Sequence, residues 1–197
     1  MSKLEIRTFS TESIIEERAE GKGLKLSGVA IPYDTWSDGL NFREKFSSGA
    51  FNESLRKGDN IFSFWNHNRD HVLGRTSNKT LRIEDSDKAL RYEVDLPSTT
   101  YAKDLHELVK RGDVAGTSIG FRTVEDEWGE DEQGYWRVVK RAILTETSPE
   151  ITPAYSNTDV AIRSMEEFRS SQEPEVKEDF KSTNDNLRIE LDLLEIE

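Results

Sequence analysis

The sequence predicts a mixed α+β fold in which a mainly antiparallel β-sheet or barrel packs against a few helices. Three observations favour this class. Short apolar segments with strand-like spacing recur along most of the chain. Two long segments rich in β-branched and aromatic residues bracket a turn-rich stretch, as in a β-hairpin. Only two stretches combine helical spacing with a capping residue and a terminal glycine.

The predicted strands begin with Leu24–Ile31, which stops at Pro32 because proline has no backbone N–H for a ladder hydrogen bond. The apolar run Ile61–Trp65 predicts a buried strand. Two hairpins follow in the chain. They pair Leu81–Ile83 with Ala89–Leu96, and Thr117–Trp128 with Tyr135–Glu146.

Two helices are predicted between these strands. Ser47 or Ser48 is expected to cap a short helix that ends at Gly58. Thr99 or Thr100 is expected to cap a longer helix that ends at Gly112. The longer helix has one apolar face, made of Tyr101, Leu105, Leu108 and Val109.

The composition excludes several classes of protein. A chain of 197 residues suits one domain with tails. Cysteine is absent, which excludes disulfides, thiolate metal sites and a cysteine nucleophile. No segment is apolar enough for a membrane span, so no membrane association is expected. The formal net charge of −12 argues against nucleic-acid binding.

The charge is concentrated at the C-terminal end. Residues 165–197 contain 11 acidic and 4 basic residues, so this tail carries −7 of the net −12. Its Ser, Glu, Lys and Pro content predicts disorder. We therefore expect an N-terminal extension over residues 1–23, a main domain over 24–164 and a separate acidic tail over 165–197.

Ser118 is the first candidate for chemistry. It lies in the segment Gly116-Thr117-Ser118-Ile119-Gly120-Phe121, where glycines let a ligand approach the backbone and leave the hydroxyl accessible for nucleophilic attack. The same pattern also fits an ordinary glycine-punctuated strand start. It is not the nucleophile elbow of α/β-hydrolases, which has a different glycine spacing.

Glu146 ends the last long predicted strand, and hairpin arithmetic links it to Ser118. If Trp128 pairs with Trp136, paired positions sum to 264, and 118 + 146 gives the same sum. That register would place Ser118 opposite Glu146, with Cβ atoms about 5 Å apart. A slip or bulge of one residue would separate their faces. Alternatively, Glu146 is a solvated carboxylate at a strand end.

The three histidines offer two further possibilities. His67 directly follows the apolar run, where a neutral imidazole could accept a serine proton while an acid orients it. His67 and His71 also have an i, i+4 spacing that suits zinc on a helix, although no third ligand is evident. His106 lies in the predicted longer helix and is expected at its surface.

The motifs, taken in this order, resemble those of the prohead maturation protease family of tailed bacteriophages, over about residues 24–160. The first half of the match contains Gly28-Val29-Ala30-Ile31-Pro32-Tyr33, Phe42-Arg43-Glu44-Lys45-Phe46, Gly49-Ala50-Phe51, Trp65-Asn66-His67 and Leu73-Gly74-Arg75-Thr76. The second half contains Leu90-Arg91-Tyr92-Glu93-Val94, Gly112-Asp113-Val114, Gly116 to Phe121, Leu144-Thr145-Glu146-Thr147-Ser148 and Pro153-Ala154-Tyr155.

The resemblance implies a serine endopeptidase related in fold to the herpesvirus assembly proteases, a β-barrel surrounded by helices. It assigns His67, Ser118 and Glu146 to a catalytic triad, with Glu150 as the alternative acid. Gly120 and the Gly74-Arg75 turn are candidates for the oxyanion site by composition. No cofactor is implied.

The expected substrate is the scaffolding portion of the capsid protein, and the enzyme itself, cut inside a procapsid in the bacterial cytoplasm. The acidic tail is then either a solvated terminus or a targeting segment removed by self-cleavage. The herpesvirus analogy implies a homodimer. The main rival is a non-enzymatic capsid-assembly or scaffolding protein with the same fold, and a zinc hydrolase using His67 and His71 is more distant.

Overall fold

The computed structural model describes residues 3–10, 13–17, 23–37, 40–151, 165–166 and 168–171. The chain divides into two compact units, Met1–Glu166 and Glu167–Glu197, and the fold below belongs to the first. The predicted boundaries of the N-terminal extension and the main domain stay predictions. The acidic tail predicted over 165–197 lies outside the described residues, apart from 165–166 and 168–171.

One sheet has six strands. Its central strands are the two longest in the chain, β9 (Gly116–Asp131) and β10 (Gly134–Glu150). The strand order is β1-β9-β10-β5-β6, and β4 pairs with another part of β10. The other strands of this sheet are β1 (Glu5–Ser10), β4 (Arg43–Phe46), β5 (Phe62–Trp65) and β6 (Asn68–Arg75). Only the β10 pairings with β4 and β5 are parallel within this sheet.

The second sheet has four antiparallel strands in the order β2-β3-β8-β7. These strands are β2 (Ser13–Glu17), β3 (Leu24–Pro32), β7 (Leu81–Asp85) and β8 (Ala89–Asp95). Buried residues of both sheets form one apolar cluster, for example Leu26 and Val94 from this sheet with Phe121 and Leu144 from the other. The two sheets therefore share one core.

The predicted β-barrel is wrong, because the strands form two open sheets. Closure requires a continuous ladder around the whole circuit. In the described part of the chain, β1 and β6 are the edges of one sheet, β2 and β7 are the edges of the other, and no ladder joins these edges. Consecutive strands β1 and β2 enter different sheets, which divides the hydrogen bonding into two ladders. The predicted mixed α+β, mainly antiparallel character is confirmed.

Both predicted helices form, and both end where a glycine is left-handed. The helix α1 (Asn52–Lys57) ends at Gly58, whose φ is 72°. The helix α2 (Thr100–Arg111) ends at Gly112, whose φ is 83°. A short 3₁₀ helix, Thr76–Asn78, follows β6.

The predicted start of α1 at Ser47 or Ser48 is wrong. Gly49 has a φ of 74°, so the chain cannot be helical there and makes turns before the helix begins at Asn52. The start of α2 is confirmed, with Thr99 at the N-cap position, but among the described residues the Thr99 side chain makes no capping hydrogen bond.

Candidate active site

Ser118 lies in the fully buried first third of β9, between the shared core and the first strand. Its neighbours Ile119 and Phe121 belong to the core, and Ser118 itself has no exposed surface. Alternation along a strand turns Ser118 and Gly120 to the opposite face of the sheet. This face, which also carries Glu146, is called the catalytic face below.

His67 is presented by the two-residue turn that joins β5 to β6. Trp65 pairs with Asn68, and the residues between them, Asn66 and His67, have φ values of 52° and 55°. Positive φ at both central residues is what a tight hairpin turn of the I′ kind requires. The turn is fixed to β10 because the Asn66 N–H donates to the Pro149 carbonyl, at 3.1 Å. A left-handed histidine is energetically costly, and here it points the imidazole at the catalytic face.

Glu146 reaches the same place through a β-bulge. Leu144 pairs with Phe121 and Glu146 pairs with Gly120, so Thr145 is the extra residue of the bulge. The Thr145 hydroxyl donates to the Gly120 carbonyl at 2.7 Å, which stabilises the bulge.

The predicted register that placed Ser118 directly opposite Glu146 is wrong. Trp136 pairs with Gly129, and after the bulge Ser118 pairs with Ser148. Ser118 and Glu146 are instead diagonal neighbours on one face, a spacing of about 7–8 Å between Cβ atoms. A diagonal pair leaves room for an imidazole between hydroxyl and carboxylate.

Gly120 provides the space for the Glu146 side chain. A Cβ atom on Gly120 would lie 2.6 Å from the Glu146 Cγ and 3.0 Å from the Thr145 Oγ1. Gly74, the other glycine considered for an oxyanion site, makes room for Val94, whose Cγ2 would lie 2.6 Å from a new Cβ. Both glycines thus have a steric role in packing side chains closely.

The imidazole of His67 lies between the other two side chains. Its Nε2 is 2.8 Å from the Ser118 Oγ, and its Nδ1 contacts the Glu146 carboxylate. In the neutral tautomer with a proton on Nδ1, the ring donates to Glu146 and accepts the serine proton at Nε2. The structure therefore brings together all three residues predicted from the sequence, in the arrangement of a nucleophile, a base and an orienting acid.

Glu150, the alternative acid, lies on the other side of the ring. Its Oε1 is 3.4 Å from the His67 Nε2, the nitrogen that faces Ser118. Its Oε2 accepts a hydrogen bond of 2.9 Å from the Thr8 hydroxyl. An acid that orients the base has to bind the nitrogen away from the nucleophile, and only Glu146 does so.

Strand β1 covers the nucleophile, a position that no sequence pattern predicted. Thr8 pairs with Ser118 in an antiparallel ladder, and the Thr8 hydroxyl is 3.2 Å from the Ser118 Oγ. The Ser118 hydroxyl is also 3.1 Å from the Arg7 carbonyl oxygen, which accepts its proton. Ser118 has one proton, so the Arg7 carbonyl and His67 compete for it.

The charged side chains on the opposite face of β1 belong to a buried ion cluster, which consists of Glu5, Arg7, Glu44 and Arg137. Arg7 Nε donates to Glu44 Oε1 at 2.5 Å, and Arg137 Nη1 donates to Glu5 Oε2 at 2.7 Å and to Glu44 Oε2 at 2.9 Å. Burial alone would raise the pKa of Glu5, but hydrogen bonding and charge from Arg137 and Arg7 hold it below the ordinary value. Burial alone would lower the pKa of Arg137, but Glu5 and Glu44 hold it above its ordinary value.

A cleft of about 460 Å³ opens on the catalytic face beside Glu146. Its walls combine four apolar side chains with polar and charged ones, including two arginines. The lining residues that matter here are Leu4, Phe62, Phe64, Val72, Arg69 and Arg122. The rings of Phe62 and Phe64 are stacked, with centroids 5.4 Å apart.

His71 takes no part in this site. Its ring stacks against Trp65 and Tyr101, with centroids 5.6 and 4.8 Å away. Both ring nitrogens of His67 already face other side chains, as described above. Within the residues that the structure describes, no three His, Cys, Asp or Glu side chains are grouped closely enough to hold a metal ion.

Comparisons with known proteins identify a family and a similar fold. The model of the caudovirus prohead serine protease family matches residues 11–171. The capsid assembly protease of bacteriophage T4 has a similar fold, with a TM-score of 0.55 and 12% sequence identity, over 77% of this chain and 98% of that chain. No curated protein sequence matches significantly. Among the described residues, no helix is both long and apolar enough to cross a membrane.

Proposed function

The chain belongs to the caudovirus prohead serine protease family, and from this premise we propose that Ser118, His67 and Glu146 are its catalytic triad. The observation that carries the assignment is the position of the His67 ring, which contacts Ser118 through Nε2 and Glu146 through Nδ1.

The proposed reaction is peptide-bond hydrolysis in two steps. The Ser118 Oγ attacks the scissile carbonyl while His67 Nε2 takes its proton, and Glu146 stabilises the resulting imidazolium. His67 then gives the proton to the leaving amine, and an acyl-enzyme ester remains on Ser118. Water attacks this ester with His67 again as the base, which releases the acid and regenerates the serine.

The proposed substrates are the scaffolding portion of the capsid protein and the protease chain itself, cut inside the procapsid. The family description and the capsid-assembly role of the T4 protein support this choice. A second copy of the chain is a proposed partner by analogy with the herpesvirus enzymes.

The described arrangement is a closed state, because β1 covers Ser118. A substrate can reach the Ser118 Oγ only after β1 leaves the edge of β9. Glu150 belongs to the same closed arrangement, since its carboxylate lies 3.4 Å from the His67 Nε2 and accepts a hydrogen bond from the Thr8 hydroxyl of β1.

The full burial of Ser118 also favours a second candidate, a non-enzymatic capsid-assembly protein that retains the protease fold. The two candidates differ in the reactivity of one atom. During co-expression with the capsid precursor, when β1 has to leave Ser118 for substrate to bind, a fluorophosphonate probe should label Ser118 in the protease, and the labelled peptide is identified by mass spectrometry. An assembly protein without a working triad would remain unlabelled.

The triad is tested by co-expression with the capsid precursor. Ser118→Ala and His67→Ala should each lower the rate of precursor cleavage by about four to six orders of magnitude, because the nucleophile or its base is lost. Glu146→Gln should cost about 10⁴-fold, since it favours the wrong histidine tautomer. Gel analysis of the precursor over time measures these rates.

Ser63→Ala is a matched control for Ser118→Ala. Ser63 is another fully buried serine, on β5, and its hydroxyl has no hydrogen-bond partner among the described residues. Its removal should leave cleavage unchanged. Wild-type rates for Ser118→Ala would refute the assignment.

The acidic tail is proposed to direct the protease into the shell and to be removed by self-cleavage. Intact-mass measurement of wild type and Ser118→Ala, each co-expressed with the capsid protein, tests the removal. Only the wild type should lose the tail. A tail that stays intact in active enzyme, with unchanged packaging after truncation at Ser164, would contradict this role.

A further inference from the structure

The side chains of β1 alternate between two different environments. Leu4, Ile6 and Thr8 face the catalytic face of the sheet, because Ile6 pairs with Gly120 and Thr8 pairs with Ser118. Glu5 and Arg7 point to the opposite face and are almost fully buried in the ion cluster. Each position along β1 therefore has a defined set of neighbours.

The backbone of β1 places a carbonyl group beside the nucleophile, as a bound substrate has to do. Its Arg7 carbonyl is the carbonyl that contacts the Ser118 Oγ, at 3.1 Å, and the next residue, Thr8, contacts both Ser118 and Glu150. A peptide that formed the same antiparallel ladder with β9 would present the carbonyl of its Arg7-equivalent residue to the nucleophile. The bond that follows this carbonyl would be the scissile bond. In β1 itself the Ser118 hydroxyl donates its proton to the Arg7 carbonyl rather than to His67, so Ser118 is not activated for attack on that bond.

We propose that substrates bind as a strand in place of β1, and that Glu44 and Arg137 select a basic residue before the scissile bond and an acidic residue two positions earlier. This inference rests on the proposed function, and it names the class of peptide that the enzyme cuts. The full preference is an aliphatic residue, an acidic residue, a residue without a selected side chain and a basic residue, followed by the cut.

The site for the basic residue is the place of the Arg7 side chain. Glu44 accepts two hydrogen bonds there, at 2.5 Å from Nε and 3.0 Å from Nη2. The ring of Phe121 lies below the guanidinium, with its centroid 5.5 Å from Cζ. A guanidinium group binds well to a carboxylate that accepts two hydrogen bonds and to an aromatic ring against its face.

The site for the acidic residue is the place of the Glu5 side chain. Arg137 donates to its two oxygens at 2.7 and 3.2 Å, and the Thr123 hydroxyl donates at 2.6 Å. When β1 leaves, Glu44 and Arg137 remain paired with each other at 2.9 Å, but each loses a buried partner. A substrate that does not restore these partners leaves buried charge unsatisfied, which is strongly unfavourable.

The aliphatic position follows from the apolar part of the cleft. Leu4 lines the cleft together with Phe62, Phe64 and Val72. A substrate residue in the place of Leu4 would bury its side chain against these groups.

Two internally quenched peptides of equal composition and equal charge test the proposal with the full-length protein. One has the sequence of residues 4–9, Leu-Glu-Ile-Arg-Thr-Phe, and the other exchanges the Glu and the Arg. The first should be cut after Arg with a kcat/KM at least about 100-fold higher, since the exchange mispairs two buried charges. A difference below about threefold, or a cut at another bond, would overturn the proposal.

A variant of the enzyme gives a second measurement. Glu44→Gln should lower the preference for Arg over Gln before the scissile bond by about tenfold or more, because the carboxylate that pairs with the cation is gone. Glu125→Gln is the matched control, since Glu125 is an exposed carboxylate on β9 that pairs with Arg141. An unchanged preference in folded Glu44→Gln would contradict the selection by Glu44.

Labelling of Ser118 by the fluorophosphonate probe and cleavage of the capsid precursor are measured in the same samples. Labelling or precursor cleavage without the peptide preference would overturn this inference and leave the proposed function standing. Absence of labelling, precursor cleavage and peptide cleavage together would overturn both.

Discussion

At the scale of single residues, the site depends on three side chains and on one absent side chain. His67 is directed by positive φ in a two-residue turn, and Glu146 by a bulge at Thr145. Neither device would be sufficient if Gly120 carried a Cβ, because the Glu146 Cγ occupies that place. The close approach of Glu146 to the backbone explains the glycine two residues after Ser118.

Gly120→Ala should lower kcat for precursor or peptide cleavage by about 100-fold, because the new methyl group displaces the Glu146 carboxylate from His67. Gly74→Ala is the matched control, since its Cβ would overlap the core residue Val94 to the same extent. We expect both variants to have a lower Tm and only Gly120→Ala to have a lower kcat. A wild-type kcat in Gly120→Ala would show that the Glu146 carboxylate can bind His67 even when residue 120 carries a Cβ atom.

At the scale of elements, the beginning of β1 buries its charged side chains and leaves its apolar ones partly exposed, although Phe9 farther along packs on the core. Its charged residues Glu5 and Arg7 are almost fully buried, whereas Leu4 and Ile6 are only half-buried. Alternation of this kind normally predicts the opposite, with the apolar face in the core. The charged face is buried because Glu44 and Arg137, which are distant in the sequence, supply partners for it.

The ion cluster makes the stability of the protein depend on acid. The pKa of Glu5 is lower in the folded than in the unfolded protein, where it is near 4.5. Its contribution is therefore fully present above about pH 4.5 and is lost as the pH falls through the folded pKa. Glu5→Gln should cost about 3 kcal/mol of unfolding free energy at pH 7, and the gap to wild type should narrow below pH 4.5.

Urea unfolding of wild type and Glu5→Gln between pH 7 and pH 3 measures this gap. Glu53→Gln is the control, because Glu53 is an exposed carboxylate whose partner Lys57 lies one helical turn away. Its substitution should change the unfolding free energy by less than about 1 kcal/mol. A gap for Glu5→Gln that is constant with pH would contradict the prediction.

At the scale of the whole molecule, features that depend on local sequence were predicted better than features that depend on the pairing of distant strands. Both helix ends at Gly58 and Gly112 were predictable, because a left-handed glycine is a local requirement. The three candidate triad residues were found from their residue types, their positions at strand ends and the family resemblance. The two open sheets were not predictable, because the choice between one closed ladder and two open ladders depends on which distant strands pair.

The register of the β9–β10 hairpin was also only partly predictable from the sequence. The pairing of the two strands was predicted correctly, but the turn is two residues long and a bulge follows at Thr145. Both features shift the register, and neither has a sequence signal that periodicity detects. The cover formed by β1 was missed for a related reason, since its buried partners Glu44 and Arg137 lie on other strands.

The short connection between β1 and β2 has a kinetic consequence. Only Thr11 and Glu12 separate the two strands, and β2 remains paired in the other sheet when β1 detaches. A detached β1 is therefore tethered near its own site, at an effective concentration in the millimolar range or above. Dilute peptides compete poorly and are cut slowly, although their relative rates still report the preference, whereas segments packed at similar density around the enzyme can win this competition. Crowding by substrate, rather than any separate signal, would then decide when the protease opens.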